Sequence, residues 1–287
     1  MAHILAIGIA TLDTVFSVDT YPAEDGEIRA DGMRVARGGN ATNTLVALRQ
    51  LGHACSWGGV LAESLESHVI VDDLARHEID FSACPAYAGR PPTSFITLSQ
   101  NSGSRTIVHY RNLPEFSCAD FERIVLLPVD WIHFEGRNIA ELEKMLRRVK
   151  QIRPDLKISI EAEKHRPGLE SVLSMADLLL CAKGYAEYCG FDAPGAFLEY
   201  QHSQTPHADI VLAWGDAGAY GMDAAGKTAA SPAYPPPHVV DTLGAGDVFN
   251  AAVIDAYVRG LGMQHALQAG CRNAGHKCGV TGLKVRT

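Results

Sequence analysis

Near the C-terminus an apolar lead, Val239-Val240, runs into Asp241-Thr242-Leu243-Gly244-Ala245-Gly246-Asp247, after which Val248-Phe249-Asn250 opens an apolar helix. Glycine lets backbone approach a ligand closely, and the first N–H groups of a helix have no intrahelical partner. The amides of Gly244, Ala245 and Gly246 therefore face whatever sits at the helix start, where the helix dipole adds fractional positive charge. An anion suits that place. A carboxylate beside it repels the anion, which makes sense if Asp247 accepts the proton of an attacking hydroxyl. The stretch reads as a centre for phosphoryl transfer, with the amides stabilising developing charge. Alone, Gly-Ala-Gly-Asp is also an ordinary helix entry.

A second glycine-led helix start lies near the N-terminus, Arg37-Gly38-Gly39-Asn40-Ala41-Thr42-Asn43, followed by an apolar-periodic helix through Leu51. Asn40 and Asn43 stand three apart, on one face of the first turn. Upstream, a turn-rich segment carries Asp13, Asp19 and Asp25. Short amide and carboxylate side chains suit hydroxyl-rich ligands, because each hydroxyl both donates and accepts. A third motif is a decoy: Gly221-Met222-Asp223-Ala224-Ala225-Gly226-Lys227-Thr228 satisfies the P-loop pattern. A working P-loop must open a helix. Here Ala229-Ala230-Ser231-Pro232 and then Pro235-Pro236-Pro237 follow, which cannot form one. A hairpin turn over residues 223–227 is expected, with Lys227 binding no phosphate.

The elements that must hold these residues follow from hydropathy. Apolar runs over residues 3–9, 54–61, 131–135, 157–161, 178–181 and 210–214 read as strands, with helices over 66–77, 139–149 and near 169. Strands alternating with helices predict a mostly parallel sheet covered on both faces. Residues 93–99 and 105–110 are β-rich and joined by Gln100-Asn101-Ser102-Gly103-Ser104, a hairpin signal. Together with residues 13–34 they stand outside the alternation and predict a small separate sheet.

The 287 residues are long for one domain but suit one large α/β unit. A formal net charge of −8 argues against nucleic acid or an anionic membrane surface as partner. Seven cysteines, none spaced Cys-x-x-Cys, favour a reducing compartment. With no signal-peptide pattern and no membrane-spanning apolar run, a cytoplasmic protein is expected. Twelve dispersed histidines without a metal-binding spacing predict no structural metal.

The string from Asp241 to Asp247 resembles the active-site signature of the ribokinase-like (PfkB) carbohydrate kinases, and Gly38-Gly39-Asn40 resembles that family's N-terminal sugar-binding signature. Further stretches resemble the branch that phosphorylates fructose at its C1 hydroxyl: Tyr21-Pro22, Glu24-Asp25, Ser102-Gly103-Ser104-Arg105-Thr106-Ile107, Glu135-Gly136-Arg137-Asn138 and Lys277-Cys278-Gly279. The resemblance spans nearly the whole chain. It implies one kinase domain over residues 1–287 with a three-layer α/β/α ribokinase-like fold, and a β-sheet lid from segments near 13–36 and 88–112. It also implies ATP and Mg2+ as cofactors. By resemblance Asp247 is the catalytic base and Gly244, Ala245 and Gly246 form the anion hole. Asp13, Asp25, Gly39, Asn40, Asn43 and Arg137 would bind the sugar. Arg105 would touch the ATP phosphates, and Trp214, Gly215, Asp216, Gly218 and Cys278 would hold the nucleotide. Lids of some members interlock, so a homodimer is expected. The family's Asn-x-x-Glu element is replaced near Cys181-Ala182-Lys183-Gly184, so magnesium would bind ATP and water and no side chain. The lid stretch Tyr110-Arg111-Asn112-Leu113-Pro114 lacks an acidic residue, which leaves the sugar open. Alternatives are a ribokinase, a nucleoside kinase, a kinase of the fructose 6-hydroxyl, or a binding protein on the same fold without catalysis.

Overall fold

Strand His3–Ile7 is nearly all apolar, and its side chains alternate between two layers, as the two-residue period of a strand requires. Leu5 and Ile7 join one core with Ile132, Phe134, Ile158 and Ile160, whereas Ile4 and Ala6 join the other with Leu178, Leu180 and Val211. A strand buried on both faces belongs to a parallel sheet covered by helices. In the computed structural model, which describes residues 1–286, that sheet has nine strands. Their spatial order is Thr228–Ser231, Ala219–Met222, Asp209–Ala213, Leu178–Ala182, Lys157–Ala162, Trp131–Glu135, His3–Ile7, Ala54–Gly58 and Ile79–Asp80. All pairings are parallel except those at the Thr228–Ser231 edge, where two antiparallel strands close the sheet.

Helices Asn40–Gln50, Ala245–Val258 and Met263–Cys278 cover the face of Ile4 and Ala6, through Leu45, Val248, Phe249, Ile254 and Leu267. Helix Ile139–Ile152 covers the other, placing Leu142, Met145, Leu146 and Val149 against Phe134 and Ile160. The three-layer α/β/α architecture expected from the sequence is the one observed. The sheet's carboxyl edge is where an open α/β sheet binds ligands, and both glycine-led helix starts are delivered there.

A separate four-stranded sheet runs Gly32–Gly38, Thr11–Val18, Thr93–Ser99 and Arg105–Tyr110. The hairpin predicted over 93–110 is observed with Thr93 opposite Tyr110. Residues 223–227 form the expected turn: Asp223 N–H donates to the Lys227 carbonyl and Thr228–Ser231 returns antiparallel to Ala219–Met222. No helix follows Lys227 directly, so the P-loop geometry is not built.

Several boundaries differ from expectation, three of them with a visible cause or a change of helix type. The run 54–61 breaks after Gly58, and Leu61–Ala62 pairs with Ala86–Tyr87 instead. The cause is Gly59, where a Cβ would lie 2.1 Å from Trp57 Cζ2, so the chain folds over that ring. The first strand ends at Ile7, not Ile9, because the backbone at Gly8 passes so close to Glu135 that a Cβ would meet Oε2 at 2.5 Å. The helix over 66–77 is a turn of 3-10 helix at Leu65–Ser67 continued by His68–Arg76. Among the described residues no helix is long and apolar enough to cross a membrane.

Candidate active site

The two helix starts meet. Asn43 Nδ2 donates to Asp247 Oδ2 at 2.7 Å, joining the first turn of Asn40–Gln50 to that of Ala245–Val258. Gly244 precedes the second helix at φ 78°, in the left-handed region, and a Cβ there would lie 2.5 Å from Leu283 Cδ2. Only glycine fits. Gly39 caps the first helix at φ 103°, where a Cβ would strike the Ile9 carbonyl at 2.3 Å. Gly246 is exposed with open space beside it, as a backbone that receives a ligand must be.

Asp247 is buried, and burial lifts its carboxyl from an ordinary 3.8 to about 7; the Asn43 hydrogen bond and Arg37 oppose that rise, while Glu163 and Glu135 add to it. A carboxyl poised near neutrality suits a general base. Asn43 is itself oriented by Arg37, whose Nη1 donates to Asn43 Oδ1 at 2.8 Å and to Thr42 Oγ at 2.9 Å, while its Nε donates to Asp73 at 2.6 Å. The amide oxygen is thereby committed to Arg37, and the NH2 group must face Asp247.

Asn40 faces a second carboxylate group. Its Nδ2 donates to Glu161 Oε2 at 3.1 Å and Glu163 Oε2 at 3.0 Å, and Asn250 Nδ2 donates to Glu161 Oε1 at 2.8 Å. Burial, then the charges of Asp247, Glu163 and Glu135, hold the Glu161 carboxyl far above the usual carboxylate range. Both carboxyls are thus raised, Asp247 to about 7 and Glu161 well above its ordinary value. Beside them, Glu135 Oε2 accepts from Ile9 N–H at 2.9 Å and Oε1 from Arg137 at 3.1 Å. Arg137 also pairs with Glu115 at 3.0 Å, and Glu115 pairs with Arg111. Glu115, one position beyond the 110–114 stretch, thus ties Arg111 to Arg137.

The small sheet closes over this edge. Asp13 lies on its inner side, accepting from Thr11 Oγ at 2.7 Å, and burial raises its carboxyl against that bond. A Cβ at Gly38 would overlap Asp13, so the Gly38-Gly39 pair is what lets the carboxylate sit beside the helix start. Arg34 reaches Asp241 Oδ2 at 2.9 Å and Arg105 reaches Thr242 Oγ at 3.3 Å, so both edge strands of the lid touch the loop before Gly244. Asp25 is not brought in: it is exposed in the loop between the first two lid strands, at φ 61°, and hydrogen-bonds none of these side chains.

The residues expected to hold a nucleotide lie farther along the same sheet edge. Trp214 follows strand Asp209–Ala213 and is buried under Lys183, whose Nζ stands 5.6 Å from the ring centroid. Gly215 and Gly218 have φ of 65° and 94°, Asp216 between them is exposed, and Cys278 ends helix Met263–Cys278 half-buried. Among the described residues no cluster of three or more His, Cys, Asp or Glu side chains is arranged to hold a metal ion. The Glu161 oxygens are also already engaged by Asn40 and Asn250.

Sequence reasoning missed Glu161, Glu163, Asn250, Arg37 and Glu115. The signal for the first two was the Glu-x-Glu spacing at a strand end, which puts two carboxylates on one side; that for Asn250 was its place one turn beyond Asp247.

The chain matches the model of the pfkB family of carbohydrate kinases over residues 1–285. It is 40% identical over 290 residues to ketohexokinase of Mus musculus, covering 98% of this chain and 97% of that protein. Among solved structures, ribokinase from Giardia lamblia superposes with a TM-score of 0.84 at 16% identity over 98% of this chain and 94% of that one. Adenosine kinase from Sinorhizobium meliloti gives 0.83 at 18% identity, over 99% and 95%. At those identities the two structures speak for the fold alone.

Proposed function

This chain belongs to the pfkB family of carbohydrate kinases, and we propose that within it the chain transfers the γ-phosphoryl group of ATP to the C1 hydroxyl of fructose, with Asp247 as base. It is an ATP-dependent sugar kinase. The observation that carries the residue assignment is the buried Asp247 carboxyl, poised near 7, in the first turn of a helix whose leading amides share its cleft. The sugar hydroxyl gives its proton to Asp247, and the amides of Gly244 and Gly246, with that of Ala245 on release from the Thr242 carbonyl 3.3 Å away, receive the charge that develops on the phosphoryl oxygens. Asn40, Asn43, Asp13 and Gly39 orient the sugar, with Arg137 at the pocket wall; Asp25, exposed in its loop, would have to swing inward to join them. Arg105 faces the phosphates, and Trp214, Gly215, Asp216, Gly218 and Cys278 hold the nucleotide. Mg2+ would be held by the ATP phosphates and water, as suits a hard, reluctantly dehydrated cation.

Residues 1–287 act as one kinase domain, with lid segments near 13–36 and 88–112. The choice of fructose rests on the identity to mouse ketohexokinase. It is tested by ATP consumption over fructose, ribose, tagatose and adenosine with the phosphorylated position determined; a higher kcat/KM for ribose or adenosine refutes it.

The proposal includes a homodimer through the lids. Cross-strand register places Val35 beside Thr14, Thr14 beside Phe95 and Phe95 beside Val108, and Met33 beside Phe16, all on one side of the sheet. Met33, Val35, Phe95 and Val108 are exposed there, forming an apolar stripe across the sheet. A second copy of the same lid is its fitting cover, since an isologous contact buries the same stripe twice. Light scattering should give a dimer for the wild type and a monomer for Val108→Glu. A monomeric wild type at micromolar concentration refutes the contact.

A further inference from the structure

Beside the loop that leads to Gly244 stands a lysine sealed from solvent. Lys277, in the last turn of helix Met263–Cys278, has a side chain 0% exposed, and its partner Asp241 is 3% exposed. Lys277 Nζ donates to the Asp241 backbone carbonyl at 2.7 Å and lies 3.2 Å from Oδ2 of the same residue. That carboxylate also accepts from Leu243 N–H at 2.9 Å, Gly282 N–H at 3.3 Å and Arg34 Nη2 at 2.9 Å. The Cys278 carbonyl completes the clamp, accepting from Val240 N–H at 2.8 Å and Asp241 N–H at 3.2 Å. The segment before Gly244 is thus tied to the end of one helix, and through Arg34 to the lid.

Stability alone gives this pair little reason to be ionic. Removing two charges from water offsets much of their attraction, and an apolar pair of similar volume is often as stable or more so. What an ammonium does that a methionine cannot is hold the carbonyl and the carboxylate of one residue at once. It thereby fixes the backbone three residues before Gly244, which at φ 78° contributes no stiffness of its own.

We propose that Lys277 is a positioning residue for phosphoryl transfer: by gripping Asp241 at two oxygens it sets the direction in which the amides of Gly244, Ala245 and Gly246 point. The proposal rests on reading those amides as the anion hole. Because Arg34 meets the same carboxylate, the node also relates the lid's position to the loop. Lys277 touches neither substrate, so its loss should lower turnover and leave binding intact. A misplacement of about 1 Å at a reacting centre costs on the order of 10²-fold in rate.

The test is Lys277→Met together with the double variant Asp241→Asn/Lys277→Met, which removes both charges while keeping volume. Each is assayed for steady-state kinetics with fructose and ATP, for calorimetric fructose binding and for melting temperature. The single variant should lose on the order of 10²-fold in kcat with KM for fructose and ATP within about threefold. The double variant should melt near the wild type, yet keep kcat at least about tenfold low. Wild-type kcat in either folded variant overturns the proposal. So does loss of melting temperature in both with KM and kcat collapsing together, because the pair is then merely structural. Asp247→Asn is run beside them: if it retains wild-type kcat, the reading of the site fails, whereas a dead Asp247→Asn beside a fully active Lys277→Met sinks only the role of Lys277.

Discussion

Replacing Asp247 by asparagine should make the protein inactive and more stable at once. The carboxyl is buried and titrates near 7 instead of 3.8, so the folded state binds this proton more tightly than the unfolded chain does. Between those values the unfolded chain releases the proton first, and stability falls as pH rises, because the folded state carries the extra proton. The loss is complete above pH 7 and amounts to on the order of 4 kcal/mol, each pH unit of difference being worth about 1.4 kcal/mol. Asparagine carries no charge to bury and can still accept from Asn43 through its amide oxygen. Asp247→Asn should therefore gain up to about 4 kcal/mol over the wild type at pH 8 and under about 2 kcal/mol at pH 5. In a chain of this size that is about 8 °C in Tm at the higher pH. Thermal unfolding at both pH values measures it, with activity assayed in parallel and expected to fall by about two to four orders of magnitude. A variant that melts below the wild type at pH 8, or a gap independent of pH, would refute the claim that the enzyme holds its base against a desolvation cost.

The pH dependence of fructose kcat/KM should show an ascending limb with an apparent pKa near 7, since only ionised Asp247 accepts a proton; a flat profile from pH 5 to 8 would speak against it. Asn43→Ala removes the donor to Asp247 and a proposed sugar ligand, so the KM for fructose should rise sharply, by a few kcal/mol in binding terms, about 10²-fold. Its KM for ATP should barely move, and an equal rise in both would show that Asn43 supports the fold rather than the sugar. Lys227→Ala should leave kcat and both KM values unchanged, because Lys227 sits in a hairpin turn; a collapse in activity would revive the P-loop.

The sheet was readable because buried parallel strands are short continuous apolar runs, and those at 131–135 and 157–161 fall within a residue of the observed Trp131–Glu135 and Lys157–Ala162. Boundaries failed where packing, not hydropathy, sets the end: Gly8 yields to Glu135 and Gly59 to Trp57, contacts between residues far apart or out of periodic order. The place of Asn40, Asn43 and Asp247 in first helical turns was legible because helix starts carry local signals. Their partners were not. Glu161 reads as one more polar residue in an apolar strand until Asn40 and Asn250, 121 and 89 positions away, are folded against it. Lys277 is the extreme case, since lysine in a helix's last turn is usually a solvated charge favouring the dipole, and only the folded loop shows that it is sealed.

That contrast also explains how a site for a polyanion tolerates so much negative charge. Glu135, Glu161, Glu163 and Asp247 lie close enough to act on one another, and four ionised carboxylates there would repel a polyanion. The structure lowers the charge in two ways. Glu135 is paired with Arg137, and burial, then the charges of Asp247, Glu163 and Glu135, raise the Glu161 carboxyl against the hydrogen bond from Asn40. Glu163 remains beside Asp247, whose carboxyl burial lifts to about 7 and whose charge in turn raises Glu161. Replacing Glu161 by glutamine makes this position neutral at every pH, with its Nε2 turned toward the amide of Asn40 or Asn250. Because the Glu161 carboxyl is already raised, the ascending limb of the pH profile should keep its position. A limb displaced downward by a full pH unit in Glu161→Gln would show that Glu161 is ionised in the wild type, and that the repulsion is managed elsewhere.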